Sequence, residues 1–191
     1  MNKPKPKSNS KSSPNKAAPI QSESYCFIDT PEGKLMIAED GAGISSIFFL
    51  RKGASDDQNA EYLIGKGVNL LGAKEQETPL LKQAIAQLKE YFAGARKTFD
   101  VPLSFKGTPF QAKDWKALLT IPYGETRSYK QIAELIGSPK ACRAVGLANN
   151  RNPISIIIPC HRVIGSDGKL VGYGGGLDIK ERLLALERNH M

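Results

Sequence analysis

The chain has 191 residues, of which 40% are hydrophobic and 24% are charged, and this balance is typical of a soluble protein with one or two cores. The sequence contains no apolar stretch of membrane-spanning length and begins without the apolar segment of a secretory signal, so we expect a cytoplasmic protein that does not enter membranes. The formal net charge of +8 favours polyanionic partners, and the three widely spaced cysteines argue against a disulfide framework.

The positive charge is concentrated at the start of the chain. Five lysines precede the first acidic residue: Lys3, Lys5, Lys7, Lys11 and Lys16. Two interpretations remain open, a flexible arm that is attracted to phosphates and a disordered leader with no partner of its own. In either case we predict a disordered basic leader over residues 1–22.

Three β-prone runs separated by turn residues follow the leader: SYCFID, KLMIA and GISSIFFL. Because these runs are short and separated by turn residues, they predict the strands of a small antiparallel sheet. Residues 51–77 have no sustained hydrophobic period and contain several glycines, so we predict loops there.

A helix is predicted over TPLLKQAIAQLKEYFAG, residues 78–94. Thr78 can cap its first turn, Pro79 suits the first helical position, and Gly94 can end it. One apolar face should cover the sheet, and it consists of Leu81, Ala84, Ile85, Leu88 and Phe92.

After residue 104 the sequence pattern changes to one that predicts several helices. Thr108 and Pro109 open a helix through FQAKDWKALLT, and two short helices follow, SYKQIAELIG and KACRAVGLANN. The Gly-containing turn between these two helices is typical of a helix-turn-helix unit and equally of a plain pair of packed helices. The turn SDGK between Val163 and Val171 predicts a hairpin, which beside a helix-turn-helix would be a wing. The last helix is predicted over LDIKERLLALERN.

The segment IIIPCHRVIG, residues 156–165, places a cysteine after an apolar run that predicts a buried strand. A zinc site is disfavoured, because adjacent Cys160 and His161 cannot both chelate comfortably and the chain has only two histidines. A buried structural thiol and an activated nucleophile remain as alternatives. His161 and Arg162 provide potential positive charge, which favours thiolate character, and Pro159 fixes the backbone before the cysteine.

The motif IPCHRVIG, with NRNP upstream and GYGGGL downstream, resembles the O6-alkylguanine-DNA alkyltransferase family, as does GTPFQAKDWKALLTIPYGETRSYKQIAELIG. The resemblance covers residues 107–187 almost without gaps. It implies a methylated-DNA–[protein]-cysteine S-methyltransferase that moves the alkyl group of O6-alkylguanine to its own cysteine and works once. O4-alkylthymine is a further candidate substrate. No cofactor and no metal are implied.

The resemblance also implies catalytic roles. Cys160 would accept the alkyl group, His161 would take the thiol proton through a water, and Glu187 would orient the imidazole. Asn152 would fix the turn that carries the cysteine, and Tyr129 would donate a hydrogen bond to the departing guanine.

Four residues would surround the substrate base: Tyr129, Val163, Tyr173 and Gly174. The partner would be double-stranded DNA, entered through the minor groove by the helix KACRAVGLANN, and Arg143 would replace the flipped nucleotide in the stack. The expected DNA-contacting residues are Ala141, Cys142, Arg143, Ala144 and Arg151. Cys142 departs from the apolar residue that is common at its position.

We therefore expect a monomeric α/β protein in three parts. A leader covers residues 1–22, an α/β domain of ribonuclease H-like type with a small antiparallel sheet and a helix covers 23–104, and a mostly helical, winged helix-turn-helix-like DNA-binding domain covers 105–191. Two other functions remain as alternatives. A sequence-specific regulator with Cys160 as a sensor would need long polar side chains on KACRAVGLANN, and a thiol hydrolase would leave Arg143 without a role.

Overall fold

The amino-terminal half is built on a four-stranded sheet. The computed structural model describes residues 19–191. The sheet has the strand order β4-β3-β2-β6, where β2 is Ser24–Thr30, β3 is Gly33–Glu39, β4 is Ile44–Phe49 and β6 is Lys74–Glu75. The pairs β2–β3 and β3–β4 are antiparallel, and β2–β6 is parallel. The three predicted strands and their antiparallel arrangement are confirmed.

The amino-terminal domain begins before residue 23, where its predicted boundary lies. Strand β1, Ile20–Gln21, pairs in parallel with β5, Val68–Asn69. Ile20 is buried, and Ser22 Oγ lies 3.2 Å from Ser45 Oγ, so this segment is fixed by packing and hydrogen bonds. The prediction that the leader extends to residue 22 is therefore wrong for its last residues. Residues 1–18, which carry all five lysines, lie outside the described part of the chain.

A helix replaces part of the loop predicted for residues 51–77. Helix α1, Asp56–Gly65, begins at a capping box in which the Ser55 side chain accepts from the Gln58 amide and the Gln58 side chain accepts from the Ser55 amide. It buries only Asn59 and Leu63, so it has almost no apolar period. Its start is set by local capping, a signal that a search for hydrophobic periodicity misses.

Helix α2, Pro79–Phe92, forms as predicted. Thr78 Oγ1 accepts from the Leu81 amide, and Gly94 follows the helix with a positive φ of 73°. Its buried face packs on the strands β2, β3 and β4. The face includes Tyr91, which is fully buried and was not expected there, while Phe92 is only partly buried.

The carboxy-terminal half is mostly helical. Its helices are α3, Pro109–Leu118; α4, Tyr129–Leu135; α5, Cys142–Asn150; and α6, Leu177–Asn189. Helices α3, α4 and α5 pack on one another, and Trp115 of α3 donates from Nε1 to the Ala148 carbonyl oxygen of α5 at 3.0 Å. All four predicted helices are confirmed.

Two predicted β features of this half are wrong. The apolar run before Cys160 is not a strand, since it meets β4 only at a single bridge between Ile47 and Ile154 and is broken at Ile156, whose φ is 74°. Cys160–Arg162 forms a 3₁₀ turn. The turn after Gly165 closes through a bond from its amide to the Lys169 carbonyl oxygen. However, β8, Val163–Ile164, pairs in parallel with β7, Arg127–Ser128, so the predicted wing hairpin does not form.

The two halves share one core. A continuous cluster of buried side chains runs from the sheet through α2 to α3 and the segment before Cys160. A smaller cluster lies under α1 on the other face of the sheet. None of the helices described within residues 19–191 is long and apolar enough to cross a membrane.

Candidate active site

Cys160 lies at the first position of the 3₁₀ turn and is 6% exposed. Asn152 holds this turn, because its Nδ2 donates to Cys160 Sγ at 3.1 Å and to the Ile158 carbonyl oxygen at 2.7 Å. Its Oδ1 accepts from the Ile154 amide at 3.0 Å. One amide side chain therefore fixes both the irregular backbone and the sulfur atom.

Burial raises the pKa of the Cys160 thiol. The hydrogen bond from Asn152 and the positive charge of Lys180 oppose that effect and lower the pKa, but burial is the larger influence. Cys160 is therefore a protonated thiol at neutral pH. Since the thiolate is the nucleophile, this site needs a base that removes the proton during the reaction.

His161 is fully buried, and its Nε2 lies 2.7 Å from Glu187 Oε1. A carboxylate can only accept hydrogen bonds, so Nε2 carries the proton and donates it to Glu187. Burial lowers the pKa of His161, although Glu187 opposes this shift. The ring is therefore neutral at pH 7, and its Nδ1 is left as a proton acceptor.

Glu187 is the centre of a buried network. Its two oxygens accept five hydrogen bonds, which come from His161, from Tyr91 Oη at 2.8 Å, from the Gly124 amide at 3.0 Å and from two nitrogens of Arg162 at 2.9 and 3.0 Å. Burial alone would raise the pKa of this carboxyl, but the hydrogen bonds from His161 and Arg162 and the charge of Arg162 outweigh it and hold the pKa well below its usual range. Glu187 is ionised and fixed.

Lys180 is a buried cation that was not predicted. Its Nζ donates to the carbonyl oxygens of Val163 at 2.6 Å and Val171 at 2.9 Å, and burial lowers its pKa to about 8. A signal for it exists in the sequence, because Lys180 and Glu187 occupy positions i and i+7 of the helical stripe that contains Leu183 and Leu184. A polar residue on an apolar stripe indicates a buried role.

A second buried ionisable side chain, Asp114, also affects the pKa of Cys160, in the direction opposite to Lys180. Asp114 of α3 is fully buried, and neither of its carboxylate oxygens has a hydrogen-bond partner in the part of the chain that is described. Burial raises its pKa to about 7. An ionised Asp114 raises the pKa of both Cys160 and Tyr129, whereas a protonated one leaves the thiol free of that repulsion.

Cys160 opens into a cavity of about 560 Å³ between α4, α5 and the segment around Tyr173. The hydroxyl of Tyr129 lies at this cavity and donates to the Val171 carbonyl oxygen at 2.8 Å. Of the four predicted substrate residues, Tyr129 and Tyr173 line the cavity. Val163 is fully buried behind it, and Gly174 lies at a neighbouring cleft.

The predicted DNA-contacting residues fall into three places. Arg143 is exposed near the start of α5 and lines the mouth of the Cys160 cavity together with Cys142. Ala141 and Ala144 are half-buried on the same turn. Arg151 follows the end of α5 and lines the neighbouring cleft. The structure thus brings Arg143, but not Arg151, to the cysteine.

Within residues 19–191, no group of three or more His, Cys, Asp or Glu side chains is placed to hold a metal ion. The side chains of the site are a thiol, a neutral imidazole and a fixed carboxylate, with a phenol at the cavity wall.

Two family models match the chain and together span most of it. Residues 24–105 match the ribonuclease-like domain of 6-O-methylguanine DNA methyltransferase, and residues 109–189 match the DNA binding domain of the same family. Curated relatives agree. The methylated-DNA–protein-cysteine methyltransferase of Methanosarcina barkeri is 49% identical over 87% of this chain and 98% of its own. The constitutive enzyme of that name from Bacillus subtilis is 49% identical over 86% and 94%.

Solved structures give the same result. The O6-methylguanine methyltransferase of Mycobacterium tuberculosis is 46% identical and superposes with a TM-score of 0.74 over 88% of this chain and 94% of that one. The OGT protein of the same bacterium in complex with DNA is equally similar, with 46% identity and a TM-score of 0.74 over 87% and 94%. With a sheet-based amino-terminal domain, a helical DNA-binding domain and a buried Cys-His-Glu site, the chain belongs to the 6-O-methylguanine DNA methyltransferase family.

Proposed function

We propose that this protein repairs DNA by direct reversal, moving the alkyl group of O6-alkylguanine to Cys160 in a single turnover. The observation that carries this proposal is the position of Cys160, a buried thiol that is held by Asn152 and opens into the cavity beside Tyr129. O4-alkylthymine is a second candidate substrate, because it carries the same alkyl–oxygen bond on a smaller base.

The step balances as a nucleophilic substitution. The thiol proton leaves toward Nδ1 of the neutral His161, through a water, while the sulfur attacks the alkyl carbon. The bond from that carbon to O6 breaks as the thioether forms, and the purine departs with the electron pair. Tyr129, whose pKa is raised to about 12 mainly by burial, keeps its proton. When the base is bound, its single O–H turns from the Val171 carbonyl oxygen to the purine and donates a hydrogen bond there as negative charge develops.

The DNA side of the proposal uses the small residues of α5. Ala141, Ala144 and Gly146 let the helix approach a narrow minor groove, and Arg143 at the cavity mouth fills the space that a flipped nucleotide leaves. In this arrangement the carboxy-terminal domain, from about residue 105, acts as a helix-turn-helix-like unit. The amino-terminal domain acts as a ribonuclease H-like scaffold, and the protein works as a monomer in the cytoplasm.

Mass spectrometry tests the function directly. After the protein is mixed with duplex DNA that contains one O6-methylguanine, the intact mass should rise by a single methylene, and peptide mapping should place it on Cys160. An unchanged mass with bound, unrepaired DNA would instead support a lesion-binding protein.

Arg143→Ala should separate base flipping from chemistry. Extruding a nucleotide costs a few kcal/mol, and a tenfold rate change corresponds to about 1.4 kcal/mol, so the single-turnover rate with duplex DNA should fall roughly ten- to a thousandfold. The rate with free O6-benzylguanine should stay near that of the unmodified protein, because a free base needs no extrusion. Tyr129→Phe is the control and should slow both substrates. Equal slowing of both by Arg143→Ala would contradict the intercalating role.

A further inference from the structure

A second, larger cleft lies between the amino-terminal and carboxy-terminal halves. Its volume is about 1140 Å³. Five basic side chains line it, against a single carboxylate, Glu61. The basic residues are Arg51, Lys52, Lys66, Lys106 and Arg151.

Most of this positive charge is not neutralised by the protein. Lys106 pairs with Asp40 at 3.4 Å, but the other four cations have no carboxylate within ion-pair distance among the described residues. Arg51 lies 4.7 Å from the centre of the Tyr62 ring, and Lys66 donates to the Asn150 carbonyl oxygen at 3.2 Å. Burial is the main cause that lowers the pKa of Lys66; the sulfur of Cys160 opposes this shift, and the nearby charge of Arg51 adds a smaller lowering. The cleft therefore keeps like charges together at a cost that a bound anion would offset.

The cleft adjoins the Cys160 cavity. Asn150 and Tyr173 line both spaces, so these two residues lie between them. Helix α5 connects them, with Arg143 near its start at the cavity mouth and Arg151 just after its end at the cleft. A nine-residue helix is about 13 Å long, so a DNA strand that lies along α5 would reach the cleft within a few nucleotides.

We propose that this cleft binds the sugar-phosphate backbone of the DNA strand beside the lesion, so that Arg51 and Lys52 make the amino-terminal domain a second DNA-contacting surface. The inference rests on the proposed repair function. Lysine and arginine contacts to phosphates fix the position of a protein on DNA without reading its sequence, as a protein that must find lesions in any context requires.

The test is the salt dependence of DNA binding for Arg51→Ala/Lys52→Ala, both of which are exposed side chains. Each lost phosphate contact should reduce the slope of log K against log salt by about 1, so the double variant should lose about 2. Its affinities for duplexes of different sequence should fall equally. The matched control is Lys82→Ala/Lys89→Ala, which removes two exposed lysines from α2 and should keep the slope.

Two outcomes overturn the inference: an unchanged slope in the cleft variant, or an equal loss of slope in the control. The rate with free O6-benzylguanine and the thermal midpoint check that the variant is folded and its cavity intact. Failure of the repair function is distinguishable, because the unmodified protein would then gain no methyl group from O6-methylguanine DNA. If it gains the group while the cleft variant keeps its full slope, only the cleft proposal fails.

Discussion

Cys160→Ser is expected to lose alkyl transfer completely while the protein stays folded and still binds DNA. Oxygen replaces sulfur with little change in shape, and Asn152 Nδ2 can still donate to the side chain at this position. A hydroxyl, however, is a weak nucleophile without strong activation, and burial has lowered the pKa of the His161 imidazole that would activate it. Intact-mass analysis after incubation with O6-methylguanine DNA should show no gain.

Cys142→Ser is the matched control for this variant. Cys142 lies at the same cavity but on α5, and no group of the Asn152, His161 and Glu187 cluster hydrogen-bonds to it. Its replacement should leave the transferred mass and the rate unchanged. A Cys160→Ser protein that still gains a methyl group, on Cys142 or elsewhere, would refute the assignment of the acceptor.

Of the variants described, Glu187→Gln should lower the free energy of unfolding most. The glutamate accepts five hydrogen bonds, and an amide can offer only one oxygen while its NH₂ group faces the donors of Arg162. Arg162 is buried and would be left as an unpaired charge, which typically costs about 3–5 kcal/mol. Urea unfolding at pH 7 measures this difference in the free energy of unfolding. Glu125→Gln, which removes the acid of an exposed ion pair with Arg127, should cost less than about 1 kcal/mol.

The difference between wild type and Glu187→Gln should depend on pH. The folded-state pKa of Glu187 lies below the value of about 4.3 for an unfolded glutamate. A depressed carboxyl pKa contributes stability that is fully present above the unfolded pKa and is lost as pH falls toward the folded one. The gap should therefore be constant near neutrality and should shrink below about pH 4. A gap that does not change down to pH 3 would show that packing, and not ionisation, causes the loss.

The parts of the fold that the sequence predicts are those with strong local signals. Helix α2 combines the Thr78 cap, Pro79 and a regular apolar face, and β2 to β4 are short β-prone runs between turns. Helix α1 buries little, so no apolar period in the sequence predicts it, and no local pattern reveals the strand at Ile20, because its partner Val68 is distant in sequence. The run before Cys160 is rich in isoleucine, which favours strands, but tertiary contacts through Asn152 impose an irregular path.

The candidate site also has residues that the sequence predicts and residues that it does not. The cysteine, histidine, asparagine and glutamate come from motifs, and the structure places them in one cluster. Tyr91 and Gly124 complete the shell of Glu187, yet they lie 96 and 63 residues from it. No pattern in one sequence pairs such positions. The cationic cleft cannot be predicted from the sequence either, because its walls come from both halves of the chain.

The burial of Cys160 has a consequence for a protein that is consumed by its own reaction. Oxidants and stray small electrophiles react with thiolates in proportion to their ionisation and exposure. Alkylation by such an electrophile would permanently remove one molecule from the pool of repair capacity, and oxidation would disable it until the thiol is reduced again. A thiol that is 6% exposed and protonated before DNA binds is protected from these side reactions. The number of lesions that a cell can reverse is then set by how many copies it synthesises, and not by how long they wait before meeting damaged DNA.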